Sequence, residues 1–445
     1  MIEANIKIIE ALQCFLYTVV KEPDIRALFT THPADFSRER KLPLDKLVGM
    51  LINLPKRSLS IELQAFFESL EQQQQHTAYT KAAFSLQRTK LKPLFFQLWN
   101  QWLVESFYTY YGTQVKRWHG FRLLAVDGSN MSMVQTAEVS AHFGSATNQF
   151  TSVPMARALQ VQDVLNDIRV WADIFPYTDS ELSIITSHLR HLPEDSLTLF
   201  DRGFASYSLM YLLMNEESPR HFLIRCKTDF CKEVKQFVNS RKKEEITTFY
   251  PSRESIARLK EHHYIVTSKT GIQVRMVKVQ LADGQTEVLL TNLYDTELFT
   301  ARMISKLYAK RWAIEGAYNT QKNQLQIEIF SGHRVLCIEQ DYAAALFVAN
   351  LQSIIEKQCE EEVRDKTKNR YYRYKVNRNI SWALLKNRIV KLFIRSTDSR
   401  AILMELQHLF SRYIEPLRPG RKVPRGKPNI RRGKYQTFTN YRRAI

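Results

Sequence analysis

The segment Leu123–Ser129 has the sequence Leu-Leu-Ala-Val-Asp-Gly-Ser, in which an apolar run is followed by an aspartate and a turn. A second segment of this kind, Leu197–Gly203, has the sequence Leu-Thr-Leu-Phe-Asp-Arg-Gly. Short apolar runs that stop at turn-forming residues predict buried β-strands. Because parallel strands place corresponding ends at one edge of a sheet, we expect Asp127 and Asp201 to lie side by side there. The alternative is that each aspartate only forms a turn, since Asp followed closely by Gly is common in turns.

The region around Glu315 has the period of one helix. Its polar residues have the spacing Y-x2-R-x3-E-x6-K: Tyr308, Arg311, Glu315 and Lys322. At about 100° per residue, these four fall within about 60° of one another around the helix axis. A neighbouring apolar stripe predicts the buried face: Leu307, Ile314, Tyr318 and Leu325. The polar stripe predicts that Glu315 holds a metal ion while Arg311 and Lys322 hold phosphate. A solvated helix face with a few ion pairs is the alternative.

The three acids together predict more than each does alone. Asp127 and Asp201 at one edge of a sheet, with Glu315 from a helix packed across it, would form a site for two hard cations. Mg²⁺ prefers oxygen ligands and keeps water and substrate phosphate in its shell. Two such ions about 4 Å apart can activate a water or a 3′-OH and stabilise the leaving oxygen. We therefore expect two Mg²⁺ ions, with Mn²⁺ able to substitute.

These motifs resemble those of DDE transposases of the insertion-sequence-4 class, whose hallmark is two aspartates and a glutamate embedded in a YREK signature. The resemblance covers roughly residues 120–335 and follows the family's order: Asp127-Gly128-Ser129, Asp201-Arg202-Gly203-Phe204, the YREK set and Phe330-Ser331-Gly332. It implies a ribonuclease-H-like core in which Asp127, Asp201 and Glu315 are catalytic metal ligands. It also implies DNA contacts for Tyr308, Arg311 and Lys322, and a homodimer in the synaptic complex.

The sequence predicts the elements of such a core. Two β-like stretches, 156–164 and 168–174, follow the Asp127 strand, and a helical stretch at 180–192 precedes the Asp201 strand. A helix at 204–215 and a strand at 221–226 come next. The fold class that we predict is α/β, a ribonuclease-H-like mixed-sheet core interrupted by a mostly β insertion, with helical N- and C-terminal regions.

The insertion covers residues 228–287 and includes strand-like stretches such as His263–Val266 and Val274–Val279. Contact with transposon-end DNA is one role for it, and a small separate domain or surface hairpin with no part in the chemistry is the other. The predicted organisation assigns six segments: 1–117, a helical DNA-binding region; 118–227, the first part of the catalytic core; 228–287, the insertion; 288–335, the second part of the core; 336–417, a basic helical region; and 418–445, a basic tail.

The formal charge of +19 is concentrated near the C-terminus. Residues 364–395 contain eleven Lys and Arg and one acid, and residues 418–445 contain ten and none. The rest of the chain is almost neutral, with 43 basic and 44 acidic residues. A basic region with interleaved aromatic residues suits double-stranded DNA, here the terminal inverted repeats and the target. RNA would fit the charge equally well, whereas membrane binding lacks an amphipathic anchor.

Other classes find little support. No apolar run has the length of a membrane span, and the start of the chain lacks the pattern of a secretion signal. Five cysteines without paired metal spacing predict a reducing, cytoplasmic compartment. His188 and His191 have helical spacing but no third ligand in reach, so we interpret them as surface residues.

The predicted function is a DNA transposase that cuts at the ends of its own insertion sequence and joins the 3′-OH ends to target DNA. Two alternatives remain at this level. One is a non-catalytic, transposase-derived DNA-binding protein, and the other is a metal-dependent nuclease that nicks without joining.

Overall fold

The computed structural model describes residues 1–38, 42–70, 80–149, 151–215, 218–280, 284–386, 388–394 and 398–418. The chain forms two compact units, each assembled from segments that are distant in sequence. The first contains residues 1–115, 131–156 and the described residues from Asn319 onward; the second contains 116–130 and 157–318. The six predicted segments follow sequence order, and their boundaries remain predictions. Within the described ranges, no helix has the length and hydropathy needed to cross a membrane.

The N-terminal region is helical, as predicted. Its helices are α1 (Ile2–Lys21), α2 (Pro23–Phe29), α3 (Leu44–Ile52), α4 (Leu59–Leu70), α5 (Lys81–Arg88) and α6 (Leu94–Tyr111). The helices α5 and α6 are separate, because Pro93 precedes α6 and cannot continue α5. Trp99 of α6 anchors the region: its ring stacks on Phe347 with centroids 4.1 Å apart, and its Nε1 donates a hydrogen bond to Leu12 O at 3.1 Å.

The core sheet begins with β1 (Arg122–Ser132), followed by α7 (Ala137–Phe143), β2 (Ser145–Thr147), β3 (Ser152–Asp163) and β4 (Ile168–Pro176). The prediction that the first strand stops at Asp127 is wrong, because β1 continues to Ser132. In the sheet β1 lies between β3 and the Asp201 strand, and the latter pairs only with Arg122–Ala125, so the continuation of β1 does not depend on that strand. Burial nevertheless changes near the aspartate, from fully buried Leu123–Val126 to half-buried residues.

The core continues through α8 (Glu181–Ser187), β5 (Ser196–Phe200), α9 (Tyr207–Asn215) and β6 (His221–Cys226). The strands β1, β5 and β6 are parallel neighbours, and β4 pairs with β3 on the other side of β1. The strands β1, β3 and β4, followed by the parallel strands β5 and β6 with helices between them, form the predicted ribonuclease-H-like core. The predicted fold class is confirmed.

The insertion contributes α10 (Lys232–Asn239), β7 (Glu244–Phe249), α11 (Arg253–Glu261), β8 (Ile272–Gln280) and β9 (Thr286–Thr291). Its strands extend the core sheet, with β9 antiparallel to β6 and the order continuing to β8 and β7. The strand expected at His263–Val266 does not form. His263 has φ = 63°, a left-handed conformation that ends α11 and does not suit a strand.

The YREK region contains α12 (Ala301–Tyr308), a 3₁₀ turn at Ala309–Arg311 and α13 (Trp312–Asn323). The prediction of one continuous helix is therefore wrong at this turn. A 3₁₀ turn advances about 120° per residue instead of 100°, which moves Arg311 away from the predicted exposed stripe, and Arg311 is 4% exposed. The predicted buried stripe is confirmed: Leu307, Ile314, Tyr318 and Leu325 are all buried.

The C-terminal elements are α14 (Val335–Lys357), α15 (Glu360–Thr367), β10 (Arg373–Val376), α16 (Arg378–Leu385), α17 (Arg388–Ile394), α18 (Ser399–Phe410) and β11 (Ile414–Leu417). The strands β10 and β11 pair as an antiparallel ribbon that the sequence did not predict. α14 is buried along most of its length and packs against α6. The predicted basic tail, apart from Arg418, lies outside the described residues.

Candidate active site

Asp127 and Asp201 are brought level by the register of two parallel strands. Ala125 of β1 pairs with Leu199 of β5, so Asp127, two residues further along β1, is level with Asp201, which directly follows the end of β5. Neighbouring strands lie about 4.8 Å apart. The predicted juxtaposition of the two aspartates therefore follows from the sheet itself.

The Asp201 carboxylate is oriented by the turn that follows β5. Its Oδ1 accepts a hydrogen bond from Gly203 N at 2.7 Å, which caps the 3₁₀ turn Arg202–Phe204. A Cβ on residue 203 would lie 3.0 Å from this oxygen, a tight contact that glycine avoids. Phe204 is fully buried and fixes the far end of the turn. The turn thus holds one carboxylate oxygen of Asp201.

Glu315 lies in the first turn of α13 and is paired with Arg311. The Arg311 Nη2 donates a hydrogen bond to Glu315 Oε1 at 3.0 Å. The Arg311 guanidinium also lies 5.3 Å from the centroid of the Trp312 ring, which is 57% exposed. Within the described part of the chain, Arg311 Nε is buried and has no hydrogen-bond partner. The arginine predicted to hold phosphate therefore contacts the third acid directly.

Two tyrosines tie the Glu315 region to the backbone of the aspartate strands. The Tyr308 hydroxyl donates to Phe200 O at 3.2 Å, one residue before Asp201. The Tyr318 hydroxyl, one helical turn beyond Glu315, donates to Asp127 O at 3.1 Å. We call this pair the tyrosine latches. The predicted contact of Tyr308 with DNA stays a prediction; its ring is buried and its hydroxyl is hydrogen-bonded to the backbone. Tyr318 was expected only as a core residue.

The carboxylates repel one another in a partly buried environment. The pKa of Asp127 is raised to about 7, chiefly by burial; the Arg311 guanidinium lowers it, and the charges of Glu181, Asp201 and Glu315 add to the rise. Charge interactions weaken with distance, so these groups lie near enough to Asp127 to change its pKa. The structure brings together the three predicted acids and adds Glu181.

Glu181, at the start of α8, is the residue that the sequence did not reveal. Its carboxylate lies against the backbone of Gly128, where a Cβ would overlap it. Arg157 of β3 donates a hydrogen bond from Nη1 to Glu181 Oε1 at 3.1 Å. Burial raises the pKa of Glu181, as does the charge of Asp201, whereas Arg157 lowers it. No local motif marks this glutamate, because its position depends on how α8 packs beside β1.

Lys322, the last residue of the YREK set, is in α13 but belongs to the first unit. Its Nζ lies 3.6 Å from Glu328 Oε1, and that oxygen accepts a hydrogen bond from Ser132 N at 2.9 Å. The predicted contact of Lys322 with phosphate stays a prediction.

Comparison with known proteins identifies the family. A model described as the transposase DDE domain matches residues 118–351, just over half of the chain. The chain belongs to this family. The recognised resemblance to DDE transposases of the insertion-sequence-4 class is thereby confirmed.

Individual relatives of this DDE-domain chain agree with the family. InsG of Escherichia coli (strain K12), the transposase for insertion sequence element IS4, is 22% identical over 306 residues, 65% of this chain and 59% of InsG. InsZ of the same strain, which carries a provisional transposase name, is 29% identical over 126 residues, 28% of this chain and 42% of InsZ. The match thus spans less than two thirds of either relative.

A solved structure, the piggyBac transposase synaptic complex with hairpin DNA, aligns with 94% of this chain and 87% of its own. The sequence identity is 10% and the TM-score is 0.41.

The donor set of this DDE-domain site suits a hard divalent cation. Its candidate ligands are carboxylates, which Mg²⁺ and Mn²⁺ prefer. A bound cation would neutralise the negative charges of Glu181, Asp201 and Glu315, which add to the effect of burial on the pKa of Asp127. Among the described residues, no three acidic, histidine or cysteine side chains are already closed around a single point. Glu315 is engaged by Arg311 instead. The residues present therefore fit the ion chemically, while their side chains are held by protein partners.

Proposed function

We propose that this chain is a DNA transposase that cuts at the ends of its own insertion sequence and joins the freed 3′-OH ends to target DNA. The observation that carries the proposal is the convergence of Asp127, Asp201 and Glu315 on one partly buried, mutually repelling site. The family match supports the same conclusion independently.

Asp127, Asp201 and Glu315 would hold two Mg²⁺ ions, with Mn²⁺ able to substitute. When bound, these ions would supply an activated water or 3′-OH and stabilise the leaving oxygen of the phosphodiester. The chain's own contribution is to keep the carboxylates in register, through the parallel pairing of β1 with β5 and the tyrosine latches.

Arg311 would hold phosphate near the cut. In this structure its guanidinium is directed at Glu315, and its buried Nε is without a hydrogen bond among the described residues. A guanidinium has five N–H donors in a fixed fork and pairs well with phosphate oxygens. We infer that Arg311 keeps one donor on Glu315 and presents others to the backbone of the bound strand. Tyr308 would position Arg311 and the Asp201 strand, and Lys322 would hold a neighbouring phosphate.

Double-stranded DNA would be the partner of the basic region at 364–395. Tyr371 is 93% exposed at the start of the β10–β11 ribbon, and the Arg370 guanidinium lies 4.7 Å from the Tyr374 ring centroid. Exposed cations and aromatic rings on a ribbon suit contact with a phosphate backbone. The proposal includes a homodimer in the complex that holds both transposon ends.

The test is cleavage and joining in a purified system. The substrate is a DNA duplex that carries the inverted repeats bordering this gene, supplied with Mg²⁺ and a target plasmid. We expect the wild-type chain to cut the repeat end and join it to the plasmid, and Glu315→Gln to do neither while binding the repeats with unchanged affinity. Glu194→Gln, the same change at an exposed glutamate of the same unit, is the control and should behave as wild type.

Other outcomes distinguish the alternatives. Repeat binding without cleavage by the wild-type chain would favour a transposase-derived DNA-binding protein. Cleavage without joining of a supplied 3′-OH end would favour a metal-dependent nuclease. Loss of repeat binding in Glu315→Gln would contradict the role assigned to that residue.

A further inference from the structure

Glu181 influences the charge state of Asp127 and is an acid that the family signature does not include. We propose that Glu181 is a fourth carboxylate of the catalytic site, positioned by Arg157 and Gly128 so that it helps to retain a divalent cation beside Asp127. The inference rests on the proposed function and deepens it.

The first argument is the fit between Glu181 and Gly128. Gly128 has an ordinary backbone conformation, so glycine is not needed there for a positive φ. What the missing side chain provides is space, because a Cβ would overlap the Glu181 carboxylate. Glycine next to a catalytic strand position often marks a close approach of another group. The space beside Asp127 is filled by a carboxylate.

The second argument is the way in which Arg157 is held. Its Nη1 donates to Glu181 Oε1 at 3.1 Å and its Nη2 to Tyr177 O at 3.4 Å, while its guanidinium lies 5.5 Å from the centroid of the Tyr177 ring. An arginine fixed on several sides orients the group that it binds. Glu181 is thus directed by a rigid partner and cannot swing freely into solvent.

The third argument is the unused coordination capacity of Glu181. Within the residues that the structure describes, the hydrogen bonds to its carboxylate reach Oε1 and none reaches Oε2. Asp127 is influenced by the charges of Glu181, Asp201 and Glu315, and two guanidiniums, Arg157 and Arg311, pair with two of these four carboxylates. The formal excess of two negative charges is one that bound divalent cations would offset.

A purely structural reading is that the Arg157–Glu181 pair only fastens α8 to β3. Both readings predict that removing Glu181 lowers stability. They differ in cation binding by the DNA-free protein, because a fastening pair lets the site keep its affinity, whereas a fourth carboxylate does not.

The experiment measures Mn²⁺ binding to the full chain without DNA, by electron paramagnetic resonance of free Mn²⁺ and by calorimetry. Glu181→Gln removes the charge and keeps the size, and Glu194→Gln makes the same change at an exposed position. We expect the Mn²⁺ dissociation constant to rise about tenfold in Glu181→Gln, within the range for loss of a supporting group at a metal site. Glu194→Gln should bind Mn²⁺ as wild type does.

Asp201→Asn is the reference variant that separates the two proposals. Weaker Mn²⁺ binding in Asp201→Asn with wild-type affinity in Glu181→Gln would overturn the inference about Glu181 and leave the proposed function standing. Wild-type affinity in both variants, or no measurable binding by the wild-type chain, would overturn both. Should Glu181→Gln fail to fold, Glu181→Ala decides by the same criterion, with folding checked by circular dichroism.

Discussion

The catalytic site and the basic region use charge in opposite ways. In the site, charged groups are partly buried and held by defined partners: Arg311 is 4% exposed and bound to Glu315, and Asp201 accepts a hydrogen bond from Gly203 N. In the basic region several of the charges are exposed, as for Arg364, whose side chain is 73% exposed, whereas Arg378 and Lys386 are held in ion pairs. Electrostatic interactions between buried charges are strong, whereas those between exposed charges are weak and are screened by salt. Chemistry and DNA binding should therefore respond to different substitutions.

The largest expected effect breaks the site and spares the basic region. Asp201→Asn removes one charge without changing shape, so we expect repeat cleavage to fall by about 10³-fold or more, given the size of transition-state electrostatic effects. The measurement is single-turnover cleavage of the repeat duplex, with binding followed by fluorescence anisotropy. A parallel fall in binding affinity would contradict the separation of the two regions.

The converse experiment weakens the basic region and spares the site. Lys368 and Arg373 are exposed cations of this region, and replacing both with Gln should lower the slope of log affinity against log salt by about 2, since each phosphate contact contributes about 0.9. The measurement is repeat binding over a range of salt concentrations.

The control for this experiment keeps the net charge constant. Lys375 and Glu415 form an exposed pair at 3.2 Å on the same ribbon. The double variant Lys375→Gln, Glu415→Gln should change the slope by less than half as much. Equal changes in both double variants would show that the ribbon's fold, and not its charge, governs binding.

A smaller effect concerns how the site is held together. Tyr318→Phe removes the hydroxyl that donates to Asp127 O and should lower the free energy of unfolding by about 1 kcal/mol. Slight misplacement of catalytic groups is costly, so we expect cleavage to fall about tenfold while repeat affinity stays constant. Tyr371→Phe, at the exposed ring of the basic region, should leave both stability and cleavage unchanged. Wild-type cleavage in Tyr318→Phe would show that this latch is dispensable.

The smallest expected effect is a pH dependence of the stability of the second unit, which arises outside both the candidate site and the basic region. His188 and His191, predicted to lie on the surface, are instead half-buried and stacked on Trp171, with centroids 5.0 and 4.8 Å away. Burial lowers the pKa of His191 to about 4, with help from the neighbouring charges of Arg190 and His188. In the unfolded chain the pKa of His191 is near 6.5, so this histidine binds a proton more readily in the unfolded state than in the folded state. The stability gained is complete above about pH 6.5 and is lost as the pH falls towards 4.

We expect the folded state to lose about 1 kcal/mol between pH 7 and pH 5 through this residue, after allowance for solvent screening. His191→Gln should reduce that pH dependence, measured by urea unfolding at both pH values. His333→Gln, at an exposed histidine, should not. Identical pH dependence in all three proteins would exclude His191 as the source.

The sequence was most informative where a local pattern decides the structure. The apolar runs before Asp127 and Asp201 predicted adjacent strands, and the stripe that includes Ile314 predicted the buried face of α13, because burial imposes period and length on the chain. It was least informative where distant contacts decide. The 3₁₀ turn at 309–311 depends on packing around Arg311, and the approach of Glu181 to Gly128 depends on the position of α8. No local propensity encodes these contacts.

The tyrosine latches also have a consequence for inactive copies of the same insertion sequence. Both hydroxyls bind main-chain carbonyls, so the frame of the site does not depend on which side chain stands at residue 127 or 201. We expect a one-codon change at either aspartate to yield a well-folded protein that still occupies transposon ends. Such a copy would compete with its active siblings, and co-expression of Asp127→Asn with the wild-type chain should suppress excision in proportion to its dose. Excision that is insensitive to the amount of the variant would contradict this. The backbone hydrogen bonds that position the acids would then let a catalytically inactive copy inhibit transposition of its own element.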